Sequence, residues 1–394
     1  MSLVSPCTNS VSKIFTQRPV WNKELLFVGG FLARAAYEME MQDIKVRWDA
    51  SRKPGEPLDS KVRKWLYDKA KYNMQFFAFR ESTPSPVVSR EMRSAFFDCA
   101  VPGQPFPIVS SAGILSALDV RMSDPVLSTF LKTLPVFPEE LLDGSELMIA
   151  ALQERGMLKE IMFEDVLKEL RERSLSEEEM IACLRWWINT SQQNPTGIDD
   201  IRRQLLGAAC LAIGSPDDNS ERVIPLKEIQ TFLNLQNTVF PTDGPLPNHL
   251  LPISISQKFD PVQLQESLQW RELTVLEWVQ HLSDLAACTR ESEFNITESP
   301  VWAERVLQLL AEYWPTLSEA DQTRICERLN KLTCIPTSMG MKTSTNSYFA
   351  IAGVFDDLPI VSFPPGVQIE GDLERVLVDL GVQKHIDFSI IYNR

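Results

Sequence analysis

The stretch Pro107-Ile108-Val109-Ser110-Ser111-Ala112-Gly113-Ile114 decides how the chain is organised, because a weaker copy returns at Ile335-Pro336-Thr337-Ser338-Met339-Gly340-Met341. A short Leu-Pro segment follows each copy, and then a Leu, a Gly four residues later and a Phe seven residues after that. These positions are Leu134-Pro135-Val136 with Leu152, Gly156 and Phe163, and Leu358-Pro359-Ile360 with Leu377, Gly381 and Phe388. The shared spacing predicts two related units, each a strand, a variable loop, the Leu-Pro segment and a helix–turn–helix-like ending.

A third and more degraded unit lies between these two. It runs from Val223-Ile224-Pro225-Leu226 through Leu251-Pro252-Ile253 to Leu268, Val275 and Val279. The three anchoring prolines are 118 and 111 residues apart. A period of about 110 residues is too long for a tetratricopeptide or ankyrin array, and it predicts modules that each bury a small core of their own.

Residues before the first unit read as helices. Apolar residues recur with a period near 3.6 from Trp21 to Trp48, at Leu25, Val28, Leu32, Ala36 and Met39. A second helix is predicted over about 58–79, with a buried stripe of Trp65, Tyr72, Phe76 and Phe79. A third, over 89–100, points Met92, Phe96 and Phe97 inward.

Gly29 and Gly30 interrupt the first of these helices. Each glycine costs a helix about 1 kcal/mol relative to alanine. A close helix crossing is the usual reason for accepting that cost, and the approach of a ligand is the other. We expect packing here, because no third glycine and no preceding strand accompany the pair.

Helices return after the first Leu-Pro segment and are predicted over 145–155, 163–173, 176–190 and 198–213. Ser176 is followed three residues later by Glu179, the spacing of a capping box.

The predicted fold class is mainly α with small β elements (α+β). A length of 394 residues is more than one hydrophobic core usually supports, so several domains are expected. Apolar residues make up 44% and charged residues 23%, which argues against a disordered chain, a collagen-like fibre or a coiled-coil rod. We assign a helical N-terminal domain to 1–101, a first module with its helical spacer to 102–221, a second to 222–332, and a third, C-terminal module to 333–394.

The net charge of −14 is unevenly distributed. Residues 1–100 carry +5 and the rest of the chain −19, so the composition argues against nucleic acid for the body and leaves it open for the first hundred residues. The candidate partner-binding residues are Arg47, Arg52, Lys53, Lys61, Arg63 and Lys64. Either they meet an acidic partner, RNA or membrane head groups, or they are solvated helix faces. The second alternative is favoured, because Trp65 and Tyr72 beside them fit a core stripe.

The sequence offers little catalytic chemistry. Three histidines, His249, His281 and His385, are far apart, and seven scattered cysteines form no CxxC pair. The phosphate-binding glycine motifs and the GxSxG elbow are absent from the sequence. We therefore predict no catalytic, cofactor-binding or metal-binding residue, no cofactor and no identifiable small-molecule ligand. Neither a membrane span nor a secretory signal is recognisable, so a cytoplasmic or nuclear location is expected.

Five segments taken together resemble a large fungal family, domain of unknown function 3684. They are 19–30, 106–113, 134–138, 334–341 and 379–385. In that family the region follows an N-terminal Hsp90-like (GHKL-type) ATPase domain. The repeated Leu-Pro and Leu-Gly units are also distantly similar to segments that follow the Hsp90-like domains of sacsin and plant no-vein proteins.

The resemblance implies a non-catalytic role. Hsp90-like ATPases need a helix bearing Glu and Asn for magnesium and a DxGxG loop for adenine, and the sequence has neither. The chain is therefore expected to be a scaffold or client-binding region that binds a protein partner or works alongside an ATPase domain in cis or in trans, without turning over ATP itself. The alternative is a nucleic-acid-associated module with winged-helix-like Leu-Gly endings, whose salt-sensitive binding weakens when Lys61, Arg63 and Lys64 become Ala.

Overall fold

The computed structural model describes residues 19–52, 58–79, 85–98, 105–193, 197–214, 221–234, 240–288, 293–350, 358–363 and 367–385. Lys53 and Phe388, which the sequence analysis singled out, lie outside these ranges. The described residues form helices and four small two-stranded sheets, which confirms a mainly α fold with small β elements.

The predicted helices 21–48, 58–79, 145–155, 163–173 and 176–190 and the strand after Pro107 are all present. The helices are α1 (Pro19–Ser51), α2 (Ser60–Phe76), α3 (Pro86–Asp98), α4 (Glu146–Glu154), α5 (Phe163–Glu172), α6 (Glu177–Gln193), α7 (Ile198–Ala208), α8 (Ile253–Ser256), α9 (Pro261–Leu268), α10 (Val275–Cys288), α11 (Pro300–Tyr313), α12 (Glu319–Leu329) and α13 (Asp372–Asp379). The strands are β1 (Pro107–Ser110), β2 (Gly113–Ser116), β3 (Cys210–Gly214), β4 (Glu221–Pro225), β5 (Thr231–Phe232), β6 (Arg271–Glu272), β7 (Ile335–Thr337) and β8 (Gly340–Lys342).

Two details around α6 and α7 test the sequence interpretation. The capping box at the start of α6 is confirmed: Ser176 N donates to Glu179 Oε2 (3.1 Å) and Glu179 N donates to Ser176 Oγ (3.3 Å). The prediction of a helix over 198–213 is wrong at its end, because α7 stops at Ala208 and residues 210–214 form β3. Leu211 there is buried and bridged to Leu175, so a short apolar run took a strand conformation that periodicity alone could not distinguish.

The described residues divide into two compact units. One comprises those within Met1–Trp186 and Ala208–Ala212, and the other those within Trp187–Gly207 and Ile213–Arg394. In the first unit one hydrophobic cluster joins residues of α1 and α2, such as Tyr37 and Leu66, to hairpin residues such as Ile108 and Val109. In the second, buried Trp278, Trp302 and Trp314 lie in the main cluster. The fourfold division by sequence stays a prediction.

Helix α1 presents one face to the core of the first unit. Residues on that face are buried at spacings of three and four, namely Gly30, Arg34, Tyr37, Met41, Ile44 and Trp48. The Arg34 guanidinium pairs with Glu38 (2.6 Å), donates to Phe96 O (3.2 Å) and lies 4.2 Å from the Phe106 ring centroid. The hydroxyl of Tyr37 donates to Pro107 O (2.9 Å). These bonds fix which way the helix faces.

The two glycines of α1 lie where α3 crosses it. A Cβ on Gly30 would sit 2.4 Å from Met92 O and 2.6 Å from Ala95 Cβ, whereas a Cβ on Gly29 would meet only Met92 Cε, at an ordinary 3.5 Å. Close packing as the reason for this glycine pair is therefore confirmed at Gly30. The inward direction of Phe96 and Phe97 on α3 is confirmed as well.

The first and third sequence units begin with the same hairpin. Strands β1 and β2 pair antiparallel, and so do β7 and β8. In the first turn Ser110 Oγ donates to Gly113 O (2.8 Å), and in the other Thr337 Oγ1 donates to Gly340 O (2.6 Å). Both glycines have left-handed φ, +116° and +85°, which favours glycine at that position.

In each of the three sequence units, one central residue forms β-bridge pairings with two neighbouring segments. Arg121 bridges Val136 and Lys159, and Tyr348 bridges Ile360 and Gln383, all parallel. Thr231 has the same two neighbours, Leu250 by a bridge and Arg271 through the β5–β6 pairing. A residue of each Leu-Pro segment, or the residue just before it, thus pairs with the central residue of its unit. The descent of these three units from one repeat stays a prediction.

Candidate interaction surface

The periodic apolar stripe that predicts α1 faces solvent and not the core. Leu25, Val28, Leu32 and Ala36 are exposed, and Met39 is 74% exposed, whereas Met41, two residues along, is 0% exposed. Two residues correspond to about 160° around a helix, so α1 is apolar on nearly opposite faces. The outer face has no covering element among the described residues.

Helix α2 repeats this arrangement, and here the predicted burial is wrong. Trp65, Tyr72 and Phe76 are exposed, the last two at 69% each, and Phe79 is half-buried. The buried face is instead formed by Leu66, Tyr67, Ala70, Asn73 and Met74. The large aromatic residues led to the wrong face being predicted as buried. A second stripe of smaller residues on the same helix packs against α1.

The end of the outer stripe of α1 and the aromatic side chains of α2 line a common groove. Helix α2 runs antiparallel to α1, since Trp48 stacks on Tyr67 at one end (centroids 5.8 Å apart) and Asn73 Nδ2 donates to Tyr37 O (3.3 Å) at the other. Between them lies a concavity of about 670 Å³, which we call the α1–α2 groove. Its lining includes Ala36, Met39, Glu40, Trp65, Asp68, Lys69, Tyr72 and Phe76.

Met39 also borders a second concavity, on the opposite flank of α1. This one has a volume of about 890 Å³ and is lined by Ala35, Gln42 and Lys45 of the helix and by Ile114 and Leu115 of β2. The outer edge of α1 is therefore a ridge between two grooves. The aromatic side chains are on the α2 side, so we take the α1–α2 groove as the candidate site.

Two of the sequence-predicted basic residues lie near one end of α1. Arg47 is exposed and pairs with Asp43 (2.8 Å), and its guanidinium carbon is 5.5 Å from the Trp65 ring centroid. Lys69 Nζ is 5.3 Å from the same ring, so two cations flank one indole. Arg52, just beyond the end of α1, is exposed.

The other three described basic residues, Lys61, Arg63 and Lys64, lie at the start of α2. All are exposed, and none forms an ion pair with a described residue. Asp59 caps the helix, and its carboxylate accepts from Lys61 N (2.9 Å) and Val62 N (3.2 Å). Cations in the first turn oppose the helix dipole, so their presence does not stabilise α2. They precede Trp65 on α2, outside the lining of the groove, and add positive charge near the end where Arg47 and Lys69 flank the indole.

Two histidines that are distant in sequence lie beside the same concavity in the second unit. His249 and His281 line a concavity of about 390 Å³ with Arg271, Glu277 and other polar residues. Burial, and then the neighbouring His249, lowers the pKa of His281, which favours its neutral form. Arg271 and Glu277 pair with each other (3.2 Å). The described residues contain no group of three or more His, Cys, Asp or Glu placed to hold a metal ion.

The buried thiols and the buried Glu169 carboxylate in the described structure have surroundings that suit a structural role. Burial raises the pKa of Cys183 and of Cys334 to about 12, which keeps both thiols protonated. The pKa of the Glu169 carboxyl is below its ordinary value. Burial raises this pKa, but hydrogen bonds from the backbone N–H groups of Thr133 and Lys132 and from the Arg173 guanidinium lower it by more. That carboxylate therefore stays ionised and holds a loop.

Among the described residues, none of the helices is both long enough and apolar enough to span a bilayer. A family model with the description "Protein of unknown function (DUF3684)" matches residues 16–394. The comparisons with curated proteins and with solved structures gave no match.

Proposed function

Since the chain belongs to the DUF3684 family, which carries no assigned activity, we propose from its surface that it is a protein-interaction scaffold and that the α1–α2 groove is where a partner binds. One observation carries this proposal: two neighbouring helices each turn large apolar side chains outward, among them Met39 on α1 and Tyr72 and Phe76 on α2. Contiguous exposed apolar surface of this kind marks interaction sites in soluble proteins.

The outward direction is held by the core. Arg34 and Tyr37 bond to Phe96 O and Pro107 O from the inner face of α1, so the helix cannot rotate its outer stripe inward without breaking both bonds. Fully covering a side chain such as Phe76 contributes about 1.5–3 kcal/mol. A partner that covers the groove gains this burial, which offsets part of the cost of association.

The resemblance noted above supports a narrower form of the proposal. In the fungal family, the corresponding region follows an Hsp90-like ATPase domain, so the partner belongs to a chaperone-like assembly that contains such a domain in cis or in trans. The chain contributes binding surface to that assembly and no ATP turnover of its own.

A site-specific photo-crosslinker tests the scaffold proposal. Placed at Tyr72 in the full chain and activated in the source cells, it should give discrete crosslinked products that mass spectrometry identifies as one or a few proteins. The same group at Glu164, exposed on α5, is the matched control. Equal, diffuse labelling from both positions would contradict the proposal.

Nucleic-acid binding is the second candidate, and it is favoured because Lys61, Arg63 and Lys64 form no ion pair with any residue that the structure describes. Cationic side chains without protein partners are available to phosphates. Glu40 and Asp68 in the same groove do not suit a phosphate backbone, and the outer stripe of α1 gives a nucleic acid little to bind. We therefore place this function second.

A further inference from the structure

We infer that the α1–α2 groove binds an amphipathic helix of a partner protein, with the acidic end of that helix at Trp65 and its apolar face on Met39, Tyr72 and Phe76. The inference rests on the proposed function and adds the chemistry and the direction of the bound segment. Three observations support it: the shape of the groove, the charge of the groove, and the charge of the other segments that could occupy the groove.

The shape fits a helix. Trp65, Lys69, Tyr72 and Phe76 follow one another at spacings of four, three and four, so they form a single ridge along α2. Ala36 and Met39 form the facing ridge on α1. From Trp65 to Phe76 the ridge rises about 16 Å, which matches about three turns of a docked helix. Two antiparallel ridges with a trough between them are the usual seat for a third helix.

Charge sets the direction of the bound helix. At the Trp65 end, Arg47, Lys61, Lys64 and Lys69 outnumber Asp43, which pairs with Arg47, and Asp59, which caps α2. At the other end, Ala36, Tyr72 and Phe76 carry no charge, and Glu40 and Asp68 lie between the ends. A helix with Asp or Glu at one terminus gains electrostatic energy in one orientation and loses it in the other.

The same charges disfavour the two nearest alternatives. Residues 1–18 of this chain contain Lys13 and Arg18 and no acidic residue, so they would bring like charge to the basic end. A second copy, packed by a two-fold axis across the groove, would set the basic end against the uncharged Phe76 end. Neither occupant neutralises Lys61 and Lys64, whereas an acidic helix does.

Two labelled peptides test the inference with the full chain. Both are 18-residue helical designs with leucine at i, i+4, i+7 and i+11; one carries three glutamates at one terminus and the other three lysines there. Fluorescence anisotropy should show the glutamate peptide binding at least tenfold more tightly. In the double variant Lys61→Glu with Lys64→Glu the preference should invert.

Variants of the apolar face complete the test. Tyr72→Ser with Phe76→Ser should weaken the glutamate peptide at least tenfold, whereas Val262→Ser, which removes an exposed valine on α9, should leave it unchanged. The inference is overturned if both peptides bind equally, if a single-stranded RNA displaces the peptide at equal concentration, or if the lysine-rich design binds better to the unmodified chain.

Other occupants give distinct results that also overturn it. Light scattering that shows a dimer, converted to a monomer by Tyr72→Ser with Phe76→Ser, would assign the groove to a second copy. A tenfold gain in peptide affinity on deleting residues 1–18 would assign it to that segment. If the crosslinker at Tyr72 captures an identified protein but the peptides show no charge preference, the scaffold proposal stands and only the acidic helix fails.

Discussion

Gly30 determines how closely α1 and α3 approach, and through them where the outer stripe of α1 lies. Its missing side chain leaves room for Met92 O and Ala95 Cβ. The sequence was sufficient to predict this, since a glycine pair in a helix needs a packing reason. It was not sufficient to tell which of the two glycines is at the crossing, because that depends on the position of α3.

Replacing each glycine by alanine separates the two positions. Gly30→Ala should lower the free energy of unfolding by about 1–3 kcal/mol, because the new methyl overpacks against backbone. Gly29→Ala is the matched control and should raise it by about 0.5–1 kcal/mol, because alanine favours the helix and meets only ordinary contact. Urea unfolding followed by circular dichroism measures both. Equal effects of the two changes would contradict the described crossing.

At the scale of elements, the three sequence units end their short helices alike. After α4 and α13 a glycine takes left-handed φ, +64° at Gly156 and +94° at Gly381. After α9 the same turn is made by Gln269 with φ +58°, the single non-glycine residue with positive φ among those described. The Leu-to-Gly spacing made the first and third endings recognisable. The second ending, placed at Leu268, Val275 and Val279, was the most degraded of the three, and its turn lacks the glycine.

Glycine at position 269 should therefore stabilise the protein. Gln269→Gly removes the strain of a left-handed side-chain-bearing residue, and we expect the free energy of unfolding to rise by about 1 kcal/mol. Gln265→Gly, one turn earlier within α9, is the control and should lower it by about 1 kcal/mol. Thermal unfolding of both variants measures the difference. A lower midpoint for Gln269→Gly than for the unmodified chain would refute the assigned turn.

Periodicity identified α1 and α2 as helices but could not choose between their two apolar faces. On α1 the stripe through Leu25 and Met39 and the stripe through Tyr37 and Met41 are both regular. Burial is decided by the tertiary neighbours α3 and β1, which the sequence of the helix does not contain. The candidate site was therefore present in the sequence as a set of residues, and only the fold showed that they face outward.

At the scale of the whole molecule, the positions of the cations and of the exposed aromatic residues both favour a binding surface. The cations predicted from the sequence, Lys61 and Lys64 among them, lie near aromatic residues that were predicted to be in the core and are exposed. A basic cluster beside buried aromatics favours solvated helix faces, whereas the same cluster beside exposed aromatics favours a binding surface. Because Trp65 and Tyr72 are exposed and not buried, they favour the scaffold proposal.

Methionine oxidation tests the central claim, that the outer stripe of α1 faces solvent, most directly. Met39 and Met41 lie between Arg34 and Lys45, so one tryptic peptide reports both. With dilute hydrogen peroxide and the folded 394-residue chain, tandem mass spectrometry should show Met39 oxidised at least tenfold faster than Met41, because the one is 74% exposed and the other 0%. Equal rates, or faster oxidation of Met41, would contradict the account.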